Sequence, residues 1–287
     1  MRPPTLARTV VACLYILSQS AHGADVDRGR FLAEVARCES CHTVDDALPY
    51  GGGYAIETTF GTFYGTNLTP SPTGIGAWTL ADFQRAMQHG RSPEGTPYYP
   101  AFPYPSFSKM SDADLADLFA YLKTLPAAPV ENRPHEVRAP YRGLWKMRLW
   151  KWVAFTRRPI DPEERGAYWV DAVAHCGECH SGRGPLGKTR RAHYLAGSDA
   201  PPEPAPNITP AALSWTRSDW TSFLSDGMTP EGDVVGGEMR GVILDGTATL
   251  TEDDRRAMAD YLLDVKPRPR RTGKTSEIPA EEEEPRM

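Results

Sequence analysis

The stretch CESCH at Cys38–His42 occurs a second time as CGECH at Cys176–His180. In both copies two cysteines are separated by two residues and followed at once by a histidine. The chain has five cysteines, and only Cys13 lies outside these two pairs. A chain of 287 residues is long enough for one large domain or two small ones, and the duplicated motif favours two.

The pattern C-x-x-C-H is the attachment signal of c-type haem. Each cysteine can form a thioether bond to one vinyl group of a haem, and the imidazole of the following residue then faces the iron. The sequence therefore predicts two covalently bound haem c groups. The predicted attachment residues and proximal iron ligands are Cys38, Cys41 and His42 in the first copy and Cys176, Cys179 and His180 in the second.

Other uses of paired cysteines fit less well. Zinc ribbons place their two pairs roughly 15–20 residues apart, whereas Cys41 and Cys176 are 135 residues apart. Disulfides are favoured in exported proteins, but they leave both histidines unexplained. A thioredoxin-like redox pair is expected near a βαβ pattern, and the sequence shows no run of buried strands. Haem attachment is the interpretation that accounts for every residue of the motif.

The rest of the chain repeats along with the motif. Three further stretches return in the second half, two of them at a common offset of 137 residues. They are Asn67–Pro70 with Asn207–Pro210, Trp78–Phe83 with Trp215–Trp220, and Gly90–Gly95 with Gly227–Gly232. The repeat predicts one fold used twice.

Each copy also carries signals for a first and a last helix. Asp161–Glu164 supplies an N-cap and a proline at the first helical position, and the matching segment of the first copy begins at Asp25. Ser111–Asp114 and Thr251–Asp254 are variants of the capping box that open the last helices. One glycine in each first helix suits close crossing by the last helix; these are Gly29 and Gly166.

Together these features resemble class I cytochrome c domains, and their tandem arrangement is similar to dihaem cytochrome subunits that serve periplasmic alcohol and aldehyde dehydrogenases. The resemblance implies an all-α fold of two tandem cytochrome c class I domains joined by a Trp-rich linker, with histidine and methionine on each iron. The predicted segments are 1–23 as signal peptide, 24–126 and 161–266 as cytochrome c domains, 127–160 as linker and 267–287 as disordered tail.

The resemblance also suggests the sixth iron ligand of the second copy. Met239 lies in the loop before the last helix, where this family places its methionine. Met228 ranks behind it because it directly follows a helix-ending glycine, and Met258 falls inside the last helix, where a core role is favoured.

The first copy differs at this position. A shift of 137 residues from Met239 leads to Phe102, and a phenyl ring cannot coordinate iron. Met87 falls inside a predicted helix. Similar two-domain cytochromes carry a Lys-Met-Ser/Thr-Asp step before the last helix, which favours Met110 as the ligand of the first haem. His89 is the alternative ligand of the first haem in place of Met110.

The N-terminus reads as a secretory signal, with Arg2 and Arg8 before the short apolar run Val10–Leu17 and small residues at 21–23. This predicts export to the periplasm. The net charge of −5 argues against nucleic acid as the main partner.

The linker stretch Tyr141–Phe155 interleaves tryptophans with lysines and arginines. It can be an interdomain packing helix, a docking surface for an acidic partner or a membrane-surface helix. Similar cytochromes have an aromatic linker here, which favours packing between the domains.

The resulting hypothesis is an electron-transfer protein, not an enzyme. It would accept electrons from a periplasmic dehydrogenase and pass them to another cytochrome or an oxidase. The competing hypothesis is a peroxidase-like or sulfur-compound-oxidising dihaem enzyme with one open or unusually ligated iron, and Phe102 is what motivates it.

Overall fold

The computed structural model describes residues 23–184, 187–200 and 204–269. The predicted signal peptide, apart from Gly23, and the predicted tail from residue 270 onwards lie outside the described residues. The described chain is mostly helical. Its first part contains helices α1 (Val26–Val35), α2 (Cys38–His42), α3 (Leu80–His89), α4 (Tyr104–Phe107) and α5 (Asp112–Thr124), and α6 (Leu144–Ala154) follows in the predicted linker.

The second part repeats this order, with a first α-helix of only 3 residues where α1 has 10. Two of its helical stretches continue into π-helical turns, at Tyr168–Val173 and Val242–Gly246. Its α-helices are α7 (Arg165–Ala167), α8 (Gly177–His180), α9 (Arg217–Asp226), α10 (Gly237–Gly241) and α11 (Glu252–Asp264). Short 3-10 turns occupy Arg191–His193 and Thr247–Thr249.

The prediction of an all-α fold was wrong in one respect, because three strands form a small antiparallel sheet. Strand β1 (Ala55–Thr58) pairs with β2 (Gly61–Tyr64), and β2 pairs with β3 (Glu136–Val137). The turn between β1 and β2 is tight, and Gly61 adopts a φ of 133°, which favours glycine. Because β3 belongs to the predicted linker, the sheet ties the start of that segment to the first part of the chain.

The predicted crossing of first and last helices is present in both parts. A Cβ atom placed on Gly29 of α1 would lie 2.0 Å from the carbonyl oxygen of Asp117 in α5. A Cβ atom on Gly166 of α7 would lie 2.2 Å from the carbonyl oxygen of Ala257 in α11. Both glycines are therefore required by the close approach of two helix backbones.

Three of the four predicted helix starts agree with the structure. Asp25 caps α1, and Ser111 and Thr251 cap α5 and α11, each side chain accepting a hydrogen bond from a backbone N–H three residues on. Asp161 does not cap a helix, because α7 begins only at Arg165. Its carboxylate instead accepts from the N–H of Glu163 in the preceding turn.

The acidic residues at the third positions of α5 and α11 bind side chains of the first helices and are nearly buried. Asp114 accepts from Arg28 Nε at 3.1 Å and from Tyr168 Oη at 2.5 Å. Tyr168 belongs to the second part of the chain, so this hydrogen bond joins the two parts. Asp254 accepts from Arg165 Nε at 2.9 Å and from Trp169 Nε1 at 2.7 Å.

Replacing Asp254 with asparagine is expected to lower the free energy of unfolding at pH 7 by about 2 kcal/mol, as for lost hydrogen bonds to a charged group. Burial alone raises the pKa of Asp254, but hydrogen bonds from Thr251, Trp169 and Arg165 outweigh it and hold the pKa below its ordinary value. A carboxyl group of this kind stabilises the fold above its unfolded pKa and loses the effect as pH falls through its folded pKa.

The difference between wild type and Asp254→Asn should therefore shrink below about pH 4, the ordinary range of an aspartate. Urea unfolding of wild type and variant across pH 3–7 measures this difference in unfolding free energy. Asp46→Asn is the matched control, because Asp46 is exposed. A difference that stays constant with pH would contradict this role of the Asp254 charge.

Candidate haem-attachment sites

Both C-x-x-C-H motifs follow the first helix of their part of the chain through the same unusual backbone turn. Arg37 precedes Cys38 with a φ of 55°, and His175 precedes Cys176 with a φ of 42°. Positive φ values are uncommon for residues other than glycine. Their recurrence directly before each motif indicates that the fold presents the two motifs in the same way.

The four motif cysteines are free thiols in the structure. Burial raises the pKa of Cys38 and Cys176 to about 12. Burial is also the main cause of the raised pKa values of Cys41 and Cys179. Within residues 23–184, 187–200 and 204–269, no three or more His, Cys, Asp or Glu side chains are grouped to hold a metal ion. Each motif instead offers two cysteine thiols for thioether bonds to a haem and one histidine for its iron.

Both motif histidines have one ring nitrogen fixed by a backbone carbonyl. His42 Nδ1 lies 2.6 Å from Thr66 O, and His180 Nδ1 lies 2.9 Å from Pro206 O. A carbonyl oxygen only accepts, so Nδ1 carries the proton in both rings and Nε2 keeps its lone pair. This is the tautomer and the orienting contact that a metal-bound histidine requires.

The repeated Asn-(Leu/Ile)-Thr-Pro stretch explains why a carbonyl stands beside each histidine. Asn67 Oδ1 accepts from the N–H of Thr69 at 2.9 Å, and Asn67 Nδ2 donates to Ala128 O at 2.8 Å. These contacts fix the turn directly after Thr66.

The second copy repeats the arrangement. Asn207 Oδ1 accepts from the N–H of Thr209 at 2.9 Å, and Asn207 Nδ2 donates to Arg268 O at 2.7 Å. From the sequence, this stretch is only a marker of the repeat, and its role in orienting the motif histidine is not predicted. The stretch follows both motifs at a similar distance in the sequence, and this spacing could have indicated the role.

The predicted methionine ligands lie in the segments before the last helices, although Met239 lies on a short helix and not in the predicted loop. Met110 is fully buried and directly precedes Ser111, the N-cap of α5. Met239 lies on α10, half-buried against the core. Their coordination of iron stays a prediction.

The other methionines and Phe102 have positions that fit the roles expected of them. Met228 is 51% exposed, which suits a buried iron ligand poorly. Met87 and Met258 are buried within α3 and α11. Phe102 lies in an aromatic cluster, with its ring centroid 5.9 Å from that of Phe107.

His89, the open alternative to Met110, lies at the end of α3 and borders a cleft lined mainly by cations. Its neighbours there include Arg91, Arg148 and Lys151. Burial and then the nearby charges of Arg157 and Lys151 lower its pKa. The structure thus places His89 beside the linker helix α6.

The loop that carries Met110 contacts the second attachment motif. Ser106 Oγ donates to Glu178 Oε1 at 2.6 Å, and Glu178 is one of the two residues between Cys176 and Cys179. The ring of Phe107 meets the ring of His175 edge to face at a centroid distance of 5.3 Å. His175 Nε2 in turn lies 3.2 Å from Ala36 O, so His175 is a structural link rather than an evident iron ligand.

The loop that carries Met239 contacts the first motif in a corresponding way. Arg37, the residue before Cys38, binds Asp245 at 2.7 Å. A Cβ atom on Gly241 would lie 2.6 Å from the guanidinium of Arg37. The segment that carries each predicted methionine thus contacts the attachment motif of the other copy or the residue directly before it.

Groups of both copies act on the Cys179 thiol. Burial is the largest cause of its raised pKa, Glu178 raises the pKa further and Arg183 lowers it, and Cys41 and Glu238 add smaller raising effects. Glu238, the neighbour of Met239, also raises the pKa of Cys41. One cysteine from each motif and the second methionine loop thus share one region of the molecule.

Comparison with known proteins gives related matches over most of the chain. The cytochrome c family model matches residues 26–126. A diheme cytochrome c-type protein of Cereibacter sphaeroides is 40% identical over 84% of this chain and 86% of its own length. The fructose dehydrogenase cytochrome subunit of Gluconobacter japonicus is 37% identical over 86% of this chain and 54% of its own length.

A third relative is the cytochrome c subunit of the quinone alcohol dehydrogenase from Gluconobacter oxydans. It is 34% identical over 85% of this chain and 55% of its own length. The chain thus spans most of the Cereibacter protein and about half of each dehydrogenase subunit. Among the described residues, no helix combines the length and apolar character needed to cross a bilayer.

Proposed function

The chain belongs to the dihaem c-type cytochromes and carries two covalent haem c groups, and on that premise we propose that it is an electron carrier serving a dehydrogenase. Each haem supplies an iron that alternates between Fe(II) and Fe(III) and so moves one electron at a time. Relatives named as cytochrome subunits of fructose and alcohol dehydrogenases support the proposal.

The observation that carries the proposal is the reciprocal contact between methionine loops and attachment motifs. Ser106 and Phe107 contact the second motif, and Asp245 reaches Arg37 beside the first. Such an arrangement holds the two sites close together, which supports the passage of electrons within one protein. A protein with only one working haem would not need it.

In this proposal each side chain of the sites has a definite task. The thioether bonds are formed by the four motif cysteines. His42 and His180 present Nε2 to iron because Thr66 and Pro206 hold their Nδ1–H groups. Met110 and Met239 would each offer a thioether sulfur to the iron of their own copy, and methionine ligation raises the reduction potential. Residues 24–126 and 161–266 form the two cytochrome c domains.

We place the protein in the periplasm, as its N-terminal residues predict. A periplasmic dehydrogenase would be its electron donor, and another cytochrome or a terminal oxidase its acceptor. The names of the relatives suggest alcohols, fructose or gluconate as substrates of that donor. Each substrate is added to a periplasmic extract that contains the oxidised protein. The substrate whose addition reduces the haem, as seen in its absorbance spectrum, identifies the donor.

The purified, fully reduced protein is expected to deliver two electrons per chain to oxidised cytochrome c under anaerobic conditions, because each haem gives up one. The double variant Cys176→Ala/Cys179→Ala, which lacks the second attachment site, should deliver one. Stopped-flow absorbance measures both yields. Rapid turnover of hydrogen peroxide, or carbon monoxide binding by the reduced wild type, would contradict the carrier and favour the dihaem enzyme.

A further inference from the structure

Helix α6, in the predicted linker, has two different faces. Met147 and Lys151 point inward and are buried. Trp145, Leu149 and Trp152 point outward, with exposures of 66%, 52% and 84%. Val153 extends the same face with 59% exposure. The aromatic linker thus packs against the domains with one face only, and its most apolar face is outside.

The inward face fixes the helix in place. Lys151 Nζ donates to the carbonyl oxygen of Gly90, the residue directly after α3, at 3.0 Å. The same nitrogen lies 3.9 Å from the centroid of the Tyr104 ring. Phe155, directly after α6, meets the Tyr104 ring at 5.0 Å. Because these contacts hold α6, the outward tryptophans are presented by a fixed helix and contribute little to its packing.

Cations border the outward row on both sides. Successive residues of an α-helix are about 100° apart around its axis. Viewed along this axis, the outward row covers about 100°, with Trp152 at one edge and Val153 at the other. Arg148 lies beyond the Trp152 edge and Lys146 beyond the Val153 edge. Residues 137–160 contain seven lysines and arginines and no acidic residue, although the whole chain has a net charge of −5. The apolar row therefore lies in a strongly basic segment of an acidic protein.

We propose that this outward face, Trp145, Leu149, Trp152 and Val153 with Lys146 and Arg148 at its edges, binds the surface of an anionic lipid bilayer. An apolar stripe with tryptophans and flanking basic residues is the pattern of a helix lying in the headgroup region. The tryptophans enter the boundary between headgroups and acyl chains, and the cations pair with lipid phosphates.

The shape of the face favours lipid over an acidic protein. Trp152 protrudes with most of its surface exposed, and tryptophans are enriched at membrane–water interfaces, where the amphipathic ring lies at the level of the headgroups. A protruding apolar row can insert among lipid headgroups without a complementary pocket. Attachment through one short helix would be weak and reversible, which suits a protein that must meet both a donor and an acceptor.

Flotation of the haem-loaded protein with vesicles tests the proposal, with haem absorbance counting the bound fraction. The wild type should float with phosphatidylglycerol vesicles at low salt, and much less with phosphatidylcholine vesicles. The charge-reversal double variant Lys146→Glu/Arg148→Glu should weaken binding at least tenfold, since each basic residue near an anionic surface contributes about 1 kcal/mol. The double variant Trp145→Ser/Trp152→Ser should weaken it at least tenfold as well, because it removes the inserted rings. Val44→Ser and Val234→Ser, at comparably exposed positions elsewhere, should leave binding unchanged.

Binding that survives in both double variants, or no binding of the wild type to anionic vesicles, would overturn the proposal. A change in oligomeric state of the vesicle-free protein on replacing the tryptophans would overturn it too, by assigning the face to a second copy. Electron delivery to cytochrome c in solution uses no vesicles, so failure here and failure of the proposed carrier function are distinguishable.

Discussion

Replacing Met110 with alanine is expected to convert a protein that binds no carbon monoxide into one that binds one molecule per chain when reduced. In the proposed arrangement Met110 is an iron ligand and is fully buried, so removal of its thioether would leave one coordination position vacant inside the protein. The second haem would keep Met239 and stay closed. Titration with carbon monoxide, followed by haem absorbance, gives the stoichiometry directly.

Two further variants make the assignment specific. Met239→Ala should also bind one carbon monoxide per chain, and the Met110→Ala/Met239→Ala double variant should bind two. Met228→Ala is the matched control, because its side chain is half exposed and is not expected to reach iron. Loss of a thioether should also lower one of the two midpoint potentials, since methionine ligation raises it.

An unchanged spectrum and unchanged potentials in Met110→Ala would show that Met110 is not an iron ligand. The replacement candidate would then be His89, and His89→Ala the next variant to titrate. Carbon monoxide binding by the wild type would instead point to an open first haem and to the enzyme hypothesis that Phe102 raised.

Features that depend on a few neighbouring residues could be predicted from the sequence. The caps Ser111 and Thr251 obey local rules of hydrogen bonding. The crossings at Gly29 and Gly166 are long-range contacts, but the repeat made them predictable because each first helix carries one glycine. The failure at Asp161 is also local: its carboxylate formed a turn with Glu163, and the helix began later.

Long-range contacts that the repeat does not mark could not be predicted. The sheet needs β3 to meet β2 across some seventy residues, and strands this short carry little pattern of their own. The carbonyls that orient His42 and His180 depend on where the turns at Asn67 and Asn207 lie in space. The outward face of α6 could not be separated from its packing face, because tryptophans occur on both sides of the helix.

Replacing Gly29 with alanine is expected to destabilise the protein by about 3 kcal/mol, at the upper end of the usual cost of overpacking. The new Cβ would lie 2.0 Å from the carbonyl oxygen of Asp117, so α1 and α5 must move apart. The oxygen belongs to helix backbone and cannot rotate away as a side chain would. Urea unfolding of the haem-loaded protein, with its haem content verified by mass, measures the loss.

Gly166→Ala should be affected for the same reason, because its Cβ would lie 2.2 Å from the carbonyl oxygen of Ala257. Gly236→Ala is the control: a Cβ there meets nothing within 4 Å, and its φ of −113° suits alanine. That variant should be neutral or gain up to about 1 kcal/mol by restricting the unfolded chain. If the three variants were equally stable, both helix crossings would tolerate a methyl group. The close contact between first and last helix would then not depend on glycine in either part.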